Sequence, residues 1–383
     1  MAKYATLSAS LPAADQAVRL AANDAESHRA RGAVLRYLGQ VAEAVKEYEM
    51  AVSLRPLDDV LWSELGIVRE EGGDQQGALE ALNEAVRAAP FYAAPRWQRG
   101  NVLLRMQRYD EGFTDLRQAA ASDQELLPNL IDLAWGLSRS DLKLTEQILQ
   151  IDNDQMRLSF ARFLARRGRG SEAVEHLRQV GSIPDHIRSE MVSHLIMKES
   201  YNEAFEIWSN EDFAARLRAN PAIFDGGFEG PLSFEESGFG WHFGRGETNL
   251  VLSIDPFEKE SGAKSLRIQF KGDSNPGIFI LSQLILVRPL KRYRLSFAGR
   301  TQDLVTGGPP VVAVSEAASE RILGKATPLR EGTNGWKVQS FEFTVGAEEE
   351  AVRLIVRREN CATSPCPIFG MVWLDSFSIE ELK

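Results

Sequence analysis

Gly32, Gly66 and Gly100 recur every 34 residues. At the same interval stand Ala44, Ala78 and Gly112, then Ala51, Ala85 and Ala119, with Tyr48, Leu82 and Leu116 sharing a register. A fixed period of this length is the signature of a repeat architecture. Small residues at fixed places mean paired helices whose backbones approach closely. Pro56 and Pro90 close the first two units, because proline lacks an N–H and clashes with the preceding turn. At the start, Asp15-Gln16-Ala17-Val18-Arg19-Leu20 reads as the second helix of a unit whose first helix is missing. Repeat arrays begin with a cap, since each unit buries its face on a neighbour. Residues 4–20 are therefore expected to be either a degenerate cap or the remnant of a longer chain.

The second unit carries the pattern most fully, with Trp62, Leu65, Gly66, Ala78, Ala85 and Pro90. On these residues the chain resembles the tetratricopeptide repeat (TPR) family. The first unit departs at His28 and Arg31, and the third has Trp97 one place late with no closing proline. The match is clear over residues 25–124 and divergent over 125–220, where 125–152, 154–184 and 187–213 read as further helix pairs. Such an array is expected to hold a protein or peptide partner. Trp62, Trp97, Tyr48 and Tyr109 are expected to be inter-helix core. Arg31, Arg69, Arg99 and Arg105, on first helices at or near the inner face, are the candidates for clamping a partner's carboxylate, since guanidinium matches it bidentately.

Composition divides the chain near Asn220-Pro221. Residues 1–220 hold 6 of the 16 prolines, 6 of the 19 phenylalanines and 12 of the 30 glycines; residues 221–383 hold the rest in a shorter stretch. The first part favours helix formers. The second favours strands joined by turns. The expected fold is thus multi-domain, an α-solenoid over residues 1–220 followed by an antiparallel β-sandwich over 221–383. With 44 Lys+Arg against 54 Asp+Glu, the net charge of −10 gives no footprint for nucleic acid. No run approaches the roughly 20 apolar residues that cross a bilayer.

In the second part, Leu266–Phe270, Tyr293–Phe297, Val338–Val345, Val352–Val356 and Val372–Ile379 alternate in period two, and Ile278–Val287 is apolar on both faces. Turn residues separate them, among them Gly307-Gly308-Pro309-Pro310. Many strands without a helix signal imply a two-sheet sandwich. In order along the chain come Phe224-Asp225-Gly226-Gly227-Phe228-Glu229, Gly240-Trp241, Ser261–Ile268, Trp336-Lys337 and Val372–Phe377. That ordered set resembles the galactose-binding-like jelly rolls found as carbohydrate-binding modules.

The resemblance implies glycan binding on a sheet face or at loops of one edge. Trp241, Phe243 and Trp336 are the stacking candidates; Gln283, Arg294 and Arg300 are the candidates for hydroxyl or carboxylate contacts. Trp241 and Trp336 also fit core positions. Because Tyr293, Leu295 and Phe297 share one face of their strand, Arg294 and Arg300 are expected on the other. The resemblance also implies a structural calcium held by Glu229 and Asp375, against the alternative that Asp375 caps a turn and Glu229 pairs with an arginine.

Cys361 and Cys366, the only cysteines, have no histidine near them in sequence, which argues against zinc. A small disulfide loop fits, with two free thiols as the alternative, and a disulfide points to an oxidising, extracytoplasmic compartment. No nucleophile elbow, metalloprotease motif, phosphate loop or dinucleotide fingerprint occurs. Glu235 and Glu236 are adjacent, so they point apart. The expectation is a non-catalytic scaffold, and the combined resemblance suggests bacterial envelope components of polysaccharide synthesis or export. The alternatives are a purely structural protein–protein module and a glycan-acting enzyme.

Overall fold

The computed structural model describes residues 10–209, 222–234, 236–244, 249–273, 275–319, 321–361 and 365–383. The seam at Asn220-Pro221, residues 4–9 and Glu235 lie outside the described residues. The chain divides into two compact units, Met1–Phe160 and Ala161–Lys383.

Among the described residues, the first unit runs from α1 (Leu11–Leu20) through α2 (Ala25–Tyr37), α3 (Val41–Leu54), α4 (Asp59–Glu71) and α5 (Gln75–Ala88). It goes on through α6 (Ala93–Arg105), α7 (Tyr109–Ser122), α8 (Leu127–Leu137) and α9 (Leu142–Leu149), with a single 3₁₀ turn at Gln124–Leu126. Asp24, Asp58, Asp74 and Asp141 start helices by accepting the amides of Ser27, Leu61, Gly77 and Leu144 at 2.8–3.2 Å. Each cap satisfies one of the orphan amides of a first turn. The small residues do what their spacing implied. A side chain on Gly66 would lie 2.7 Å from Leu82 Cγ, and one on Gly100 2.9 Å from the Gly112 carbonyl.

The departures in the first repeat compensate one another. The buried His28 ring bridges Glu47 and the Ala22 carbonyl, each at 2.8 Å. Arg31 joins the same Glu47 and reaches Asp15 of α1 at 2.7 Å. Polar residues standing where the family has apolar ones are thus tied to each other and to α1. Tyr109 is a correction: it is exposed rather than core, whereas Tyr48 is fully buried.

The division between units falls at α10 (Asp154–Arg166). Among the described residues, the second unit contains α11 (Gly170–Leu177), α12 (Asp185–Met197) and α13 (Tyr201–Trp208), then ten strands. These are β1 (His242–Phe243), β2 (Leu250–Asp255), β3 (Ser265–Asp273), β4 (Phe279–Leu286), β5 (Arg292–Thr306), β6 (Pro310–Glu316), β7 (Ile322–Lys325), β8 (Gly332–Thr344), β9 (Ala351–Arg358) and β10 (Pro367–Leu382). They form two antiparallel sheets, β1-β4-β9-β6-β7 and β2-β3-β10-β5-β8.

Register explains the core. Across the first sheet, Phe243, Leu281, Val356 and Val312 share a row and all face inward. The next row, His242, Ser282, Ile355 and Ala313, faces outward. Its last three members are nevertheless buried, so this sheet is covered on both sides. Beside it, Asn202 of α13 donates to Glu350 at 2.6 Å, and Trp208 donates to Glu236 at 2.8 Å. The rings of Phe205 and Trp208 pack on Phe239 at 5.0 and 5.7 Å.

Candidate functional site

Four candidate arginines of the helices are already engaged within the chain. Arg99 grips Asp115 bidentately at 2.6 and 2.7 Å and also reaches Asn83. Arg69 pairs with Glu49 at 2.8 Å and donates to the Gly77 carbonyl. Arg105 pairs with Glu70, and Arg31 with Asp15 and Glu47. The repeat itself sets up this saturation. Arg29–Glu64, Arg36–Glu71 and Arg105–Glu70 each join residues 35 positions apart. A partner's carboxylate clamped by any of these four would have to displace one of the chain's own.

Another guanidinium is differently placed. A groove of about 830 Å³ runs between α7, α8 and α9, with Tyr109, Phe113, Arg117, Leu137, Arg139 and Leu144 on its walls. Tyr109, Leu137 and Leu144 are roughly 40% exposed. Arg117 donates to the Ile148 carbonyl at 2.7 Å and to Thr114 at 3.2 Å, and among the described residues no carboxylate lies at ion-pair distance from it. Burial pushes its guanidinium below the ordinary arginine value, against the opposing pull of Asp110 and Asp152. A second cavity of about 460 Å³ meets the first at Arg117. Sequence reasoning read Tyr109 as core and passed over Leu137, Arg139 and Leu144, because α8 and α9 carry little of the repeat pattern; Arg117, on α7, stands outside the small-residue positions that define it.

In the sandwich, three of the six glycan candidates are structural. Trp241 is buried between Phe228 (4.9 Å) and Phe377 (5.3 Å), and its indole donates to the Asp225 carbonyl at 2.9 Å. Phe243 is core. Gln283 is fully buried and holds the Phe224 backbone through both its amide nitrogen and its oxygen, at 2.8 and 3.0 Å. None offers a surface to a sugar, which corrects the expectation for these three.

Arg294 and Arg300 lie on the outer face of the second sheet, as the alternation of their strand required. Arg294 joins Glu342 and Glu380 at 2.9 Å each. Arg300 lies over Trp373, 4.8 Å from the ring centroid, and Glu258 stands 2.5 Å from its Nη1 without hydrogen-bond alignment. Trp336 borders a cavity, a groove of about 620 Å³ at β5 and β8.

The carboxylates expected to hold calcium take backbone amides. Asp375 Oδ2 accepts from Glu260 and Ser261 at 2.8 and 3.0 Å, and Glu229 Oε1 accepts from Ala263 at 2.7 Å. A side chain on Gly227 would sit 3.7 Å from Asp375 Oδ1 and 4.0 Å from Glu229 Oε1, so both acids border the same space. The donors fit calcium in kind, as hard oxygens, yet two fall short of the usual six to eight. Among the described residues, no group of three or more His, Cys, Asp or Glu converges.

Cys361 and Cys366 form a disulfide with their Cα atoms 5.7 Å apart; residues 362–364 between them lie outside the described residues. The buried Arg358 donates to the Cys366 carbonyl at 2.7 Å and to the Gly308 carbonyl at 3.1 Å, fixing the loop from below. Among the described residues, no helix is long and apolar enough to cross a membrane.

No protein-family model matches the chain. Over 100 residues it is 28% identical to DnaJ homolog subfamily C member 3 of Homo sapiens, which covers 26% of this chain and 20% of that protein. The chain thus matches about a fifth of the length of its curated relatives. A solved structure described as "First TPR of Spaghetti (RPAP3) bound to HSP90 peptide SRMEEVD" is 19% identical, covers 30% of this chain and 94% of that one, and gives a TM-score of 0.28. Another, "CBM4 structure and function", is 13% identical over 42% of this chain and 99% of that one, with a TM-score of 0.31. Scores this low carry no argument about function. The helices and sheets themselves establish the architecture: TPR-like helix hairpins followed by an antiparallel sandwich of two five-stranded sheets.

Proposed function

We propose that the chain is a non-catalytic scaffold whose helical repeats hold a peptide or protein partner and whose sandwich contacts glycan. The observation that carries the first part is the Arg117 groove. There a partly desolvated cation without a carboxylate at ion-pair distance adjoins half-exposed Tyr109, Leu137 and Leu144. Desolvated guanidinium beside apolar surface favours a segment carrying both acidic and apolar side chains. Peptide-library selection on the full chain, followed by calorimetric titration of the selected sequences, tests this reading. Acidic-apolar peptides should emerge, and Leu144→Glu should weaken them at least about tenfold. Selected peptides indifferent to Leu144→Glu and Arg117→Gln would sink it.

A second reading, a structural module that touches no sugar, draws on the burial of Trp241, Phe243 and Gln283 and on the covered outer row of the first sheet. A glycan array over neutral and acidic polysaccharides separates the two.

The compartment is part of the same proposal. The Cys361–Cys366 bridge supports an oxidising, extracytoplasmic setting, consistent with a bacterial envelope role in polysaccharide synthesis or export. Two alkylatable thiols in protein taken from its native source would defeat it. Calcium is a separable proposal, with Glu229 and Asp375 as ligands alongside backbone carbonyls and water. Bound, it would cross-brace the loops these acids already tie. A melting temperature unmoved by chelation, with no calcium by elemental analysis, would remove it.

A further inference from the structure

The groove beside Trp336 has a chemistry of its own. It is bounded by the ends of β5 and β8 and by the segment that follows β7, with Thr327, Arg330, Asn334, Trp336, Lys337 and Gln339 on its walls. Its size, about 620 Å³, falls within the range of small-ligand sites. Gly299 stands opposite Lys337 in the ladder and leaves the floor without a side chain, and the Leu329 methyl lies 2.9 Å from where one would begin. Asn334 donates to Thr301 and to the Glu331 carbonyl, both at 2.9 Å, which holds the β8 wall in place. Trp336 is half-buried, so it is fixed and still reachable.

Charge distinguishes this groove from the others. Arg330 and Lys337 line it, and no aspartate or glutamate does. Three cavities of the helical unit, by contrast, each include Asp110 or Asp152. Many cations elsewhere on the sandwich are matched, Arg288, Lys291, Arg292, Arg294, Arg300, Arg321 and Lys325 among them, each within 4.0 Å of a carboxylate, whereas Lys259, Lys264 and Lys271 line none of the grooves described above. Among the described residues, Arg330 and Lys337 have no such partner. In a chain of net charge −10, two unmatched cations lining the same groove as an indole form a local anion preference.

We infer that this groove binds an acidic polysaccharide, a sugar chain bearing carboxylates, with the ring face of one residue on Trp336 and its carboxylate between Arg330 and Lys337. The inference rests on the glycan-binding reading of the sandwich and specifies the ligand class. Stacking uses the flat apolar face of a pyranose. Ionic hydrogen bonds to the carboxylate add affinity and discrimination against neutral sugars. Thr327 and Gln339 supply the hydroxyl and amide groups that ring hydroxyls require.

The test uses the full chain in affinity electrophoresis and calorimetry, with polygalacturonate and alginate against neutral xylan and mixed-linkage glucan, and polyglutamate as the non-sugar polyanion. The uronate polymers should bind, neutral glycans should bind at least about tenfold more weakly, and Lys337→Gln and Arg330→Gln should each cost about tenfold. Trp336→Ala should abolish binding, with its melting curve confirming that it folds, and Lys271→Gln, on the outer face of β3, should change nothing. Binding should weaken as salt rises. Neutral glycans binding as well as uronates, unaffected by either charge variant, would overturn the acidic class and leave glycan binding standing. Polyglutamate binding as tightly as the uronates would overturn recognition of sugar. No binding by any glycan would overturn this inference and the glycan reading together.

Discussion

The ring of Tyr48 occupies the space that a side chain on Gly32 would need, its Cε2 only 2.9 Å from the missing Cβ. Leu82 stands to Gly66, and Leu116 to Gly100, in the same relation. The small residue and the large one across the hairpin are one feature of the repeat, seen three times.

Gly100 is the least forgiving of the three, because one neighbour is the Gly112 carbonyl at 2.9 Å, a backbone atom that cannot rotate away. Gly100→Ala gains helix propensity, yet overpacking costs about 1–3 kcal/mol, so a net loss of about 1 kcal/mol or more is expected in urea unfolding. Gly136, in α8, has nothing within 4 Å of its missing Cβ. There Ala should stabilise by about 0.5 kcal/mol. The same sign for both substitutions would refute the packing argument.

The turns inside the hairpins follow the period too. Gly39 and Gly73 hold φ of 75° and 83°, and the third repeat places Gln107 there at 62°. A left-handed conformation costs a residue with a Cβ about 1–2 kcal/mol. Gln107→Gly should therefore raise stability by about 1 kcal/mol, less the added chain entropy of glycine. A loss on this substitution would show that the Gln107 side chain matters more than its backbone.

Ion pairs that span 35 residues link consecutive repeats. Arg29 grips Glu64 through Nε and Nη2 at 2.8 and 2.7 Å, with the pair about one-third exposed. Bidentate geometry favours coupling, and partial exposure limits it to about 0.5–1 kcal/mol. A double-mutant cycle of Arg29→Met and Glu64→Gln should return that value and shrink at 1 M salt. Zero coupling at low salt would mean the ladder records the repeat without stabilising it.

Asp255 gives the sandwich an acid limit. Burial pushes its carboxyl up, but the Trp373 indole, the Phe257 and Glu258 amides and the nearby Arg267 outweigh burial, leaving it below the usual carboxylate value. A lowered folded-state value means the group's stabilisation is present above the unfolded value of about 3.9 and is lost as pH falls through the folded one. Melting temperatures between pH 7 and pH 2 should drop most steeply below about pH 4, and Asp255→Asn should flatten that part of the curve. A variant with the wild-type acid slope would assign it to other carboxylates.

Much of this architecture was legible because periods carry it. The 34-residue spacing located the helix pairs, and alternation located β3, β5, β8, β9 and β10. Two-sided apolarity marked β4 as buried on both faces, as it is. The Pro309-Pro310 turn signal concealed β6, since proline is tolerated as the first residue of a strand. Site residues were less legible. Trp241 and Trp336 look alike in sequence, and only the loop that brings Asp225 over the indole of Trp241 separates core from rim. Lys337 is Trp336's neighbour in sequence, but Arg330 joins them only because the chain after β7 runs on along β6, its Ala326 and Leu329 amides donating to the Val312 and Pro310 carbonyls, before β8 begins.

The docking of α13 bears on how the sandwich can be handled as a module. Trp208 holds Glu236, and its ring lies 5.1 Å from Phe224; Asn202 holds Glu350. A fragment starting at residue 222 would leave Phe224 and Phe239 facing water in place of these partners. Transplanting the sandwich as an affinity tag or a domain swap therefore calls for carrying the α12–α13 hairpin with it.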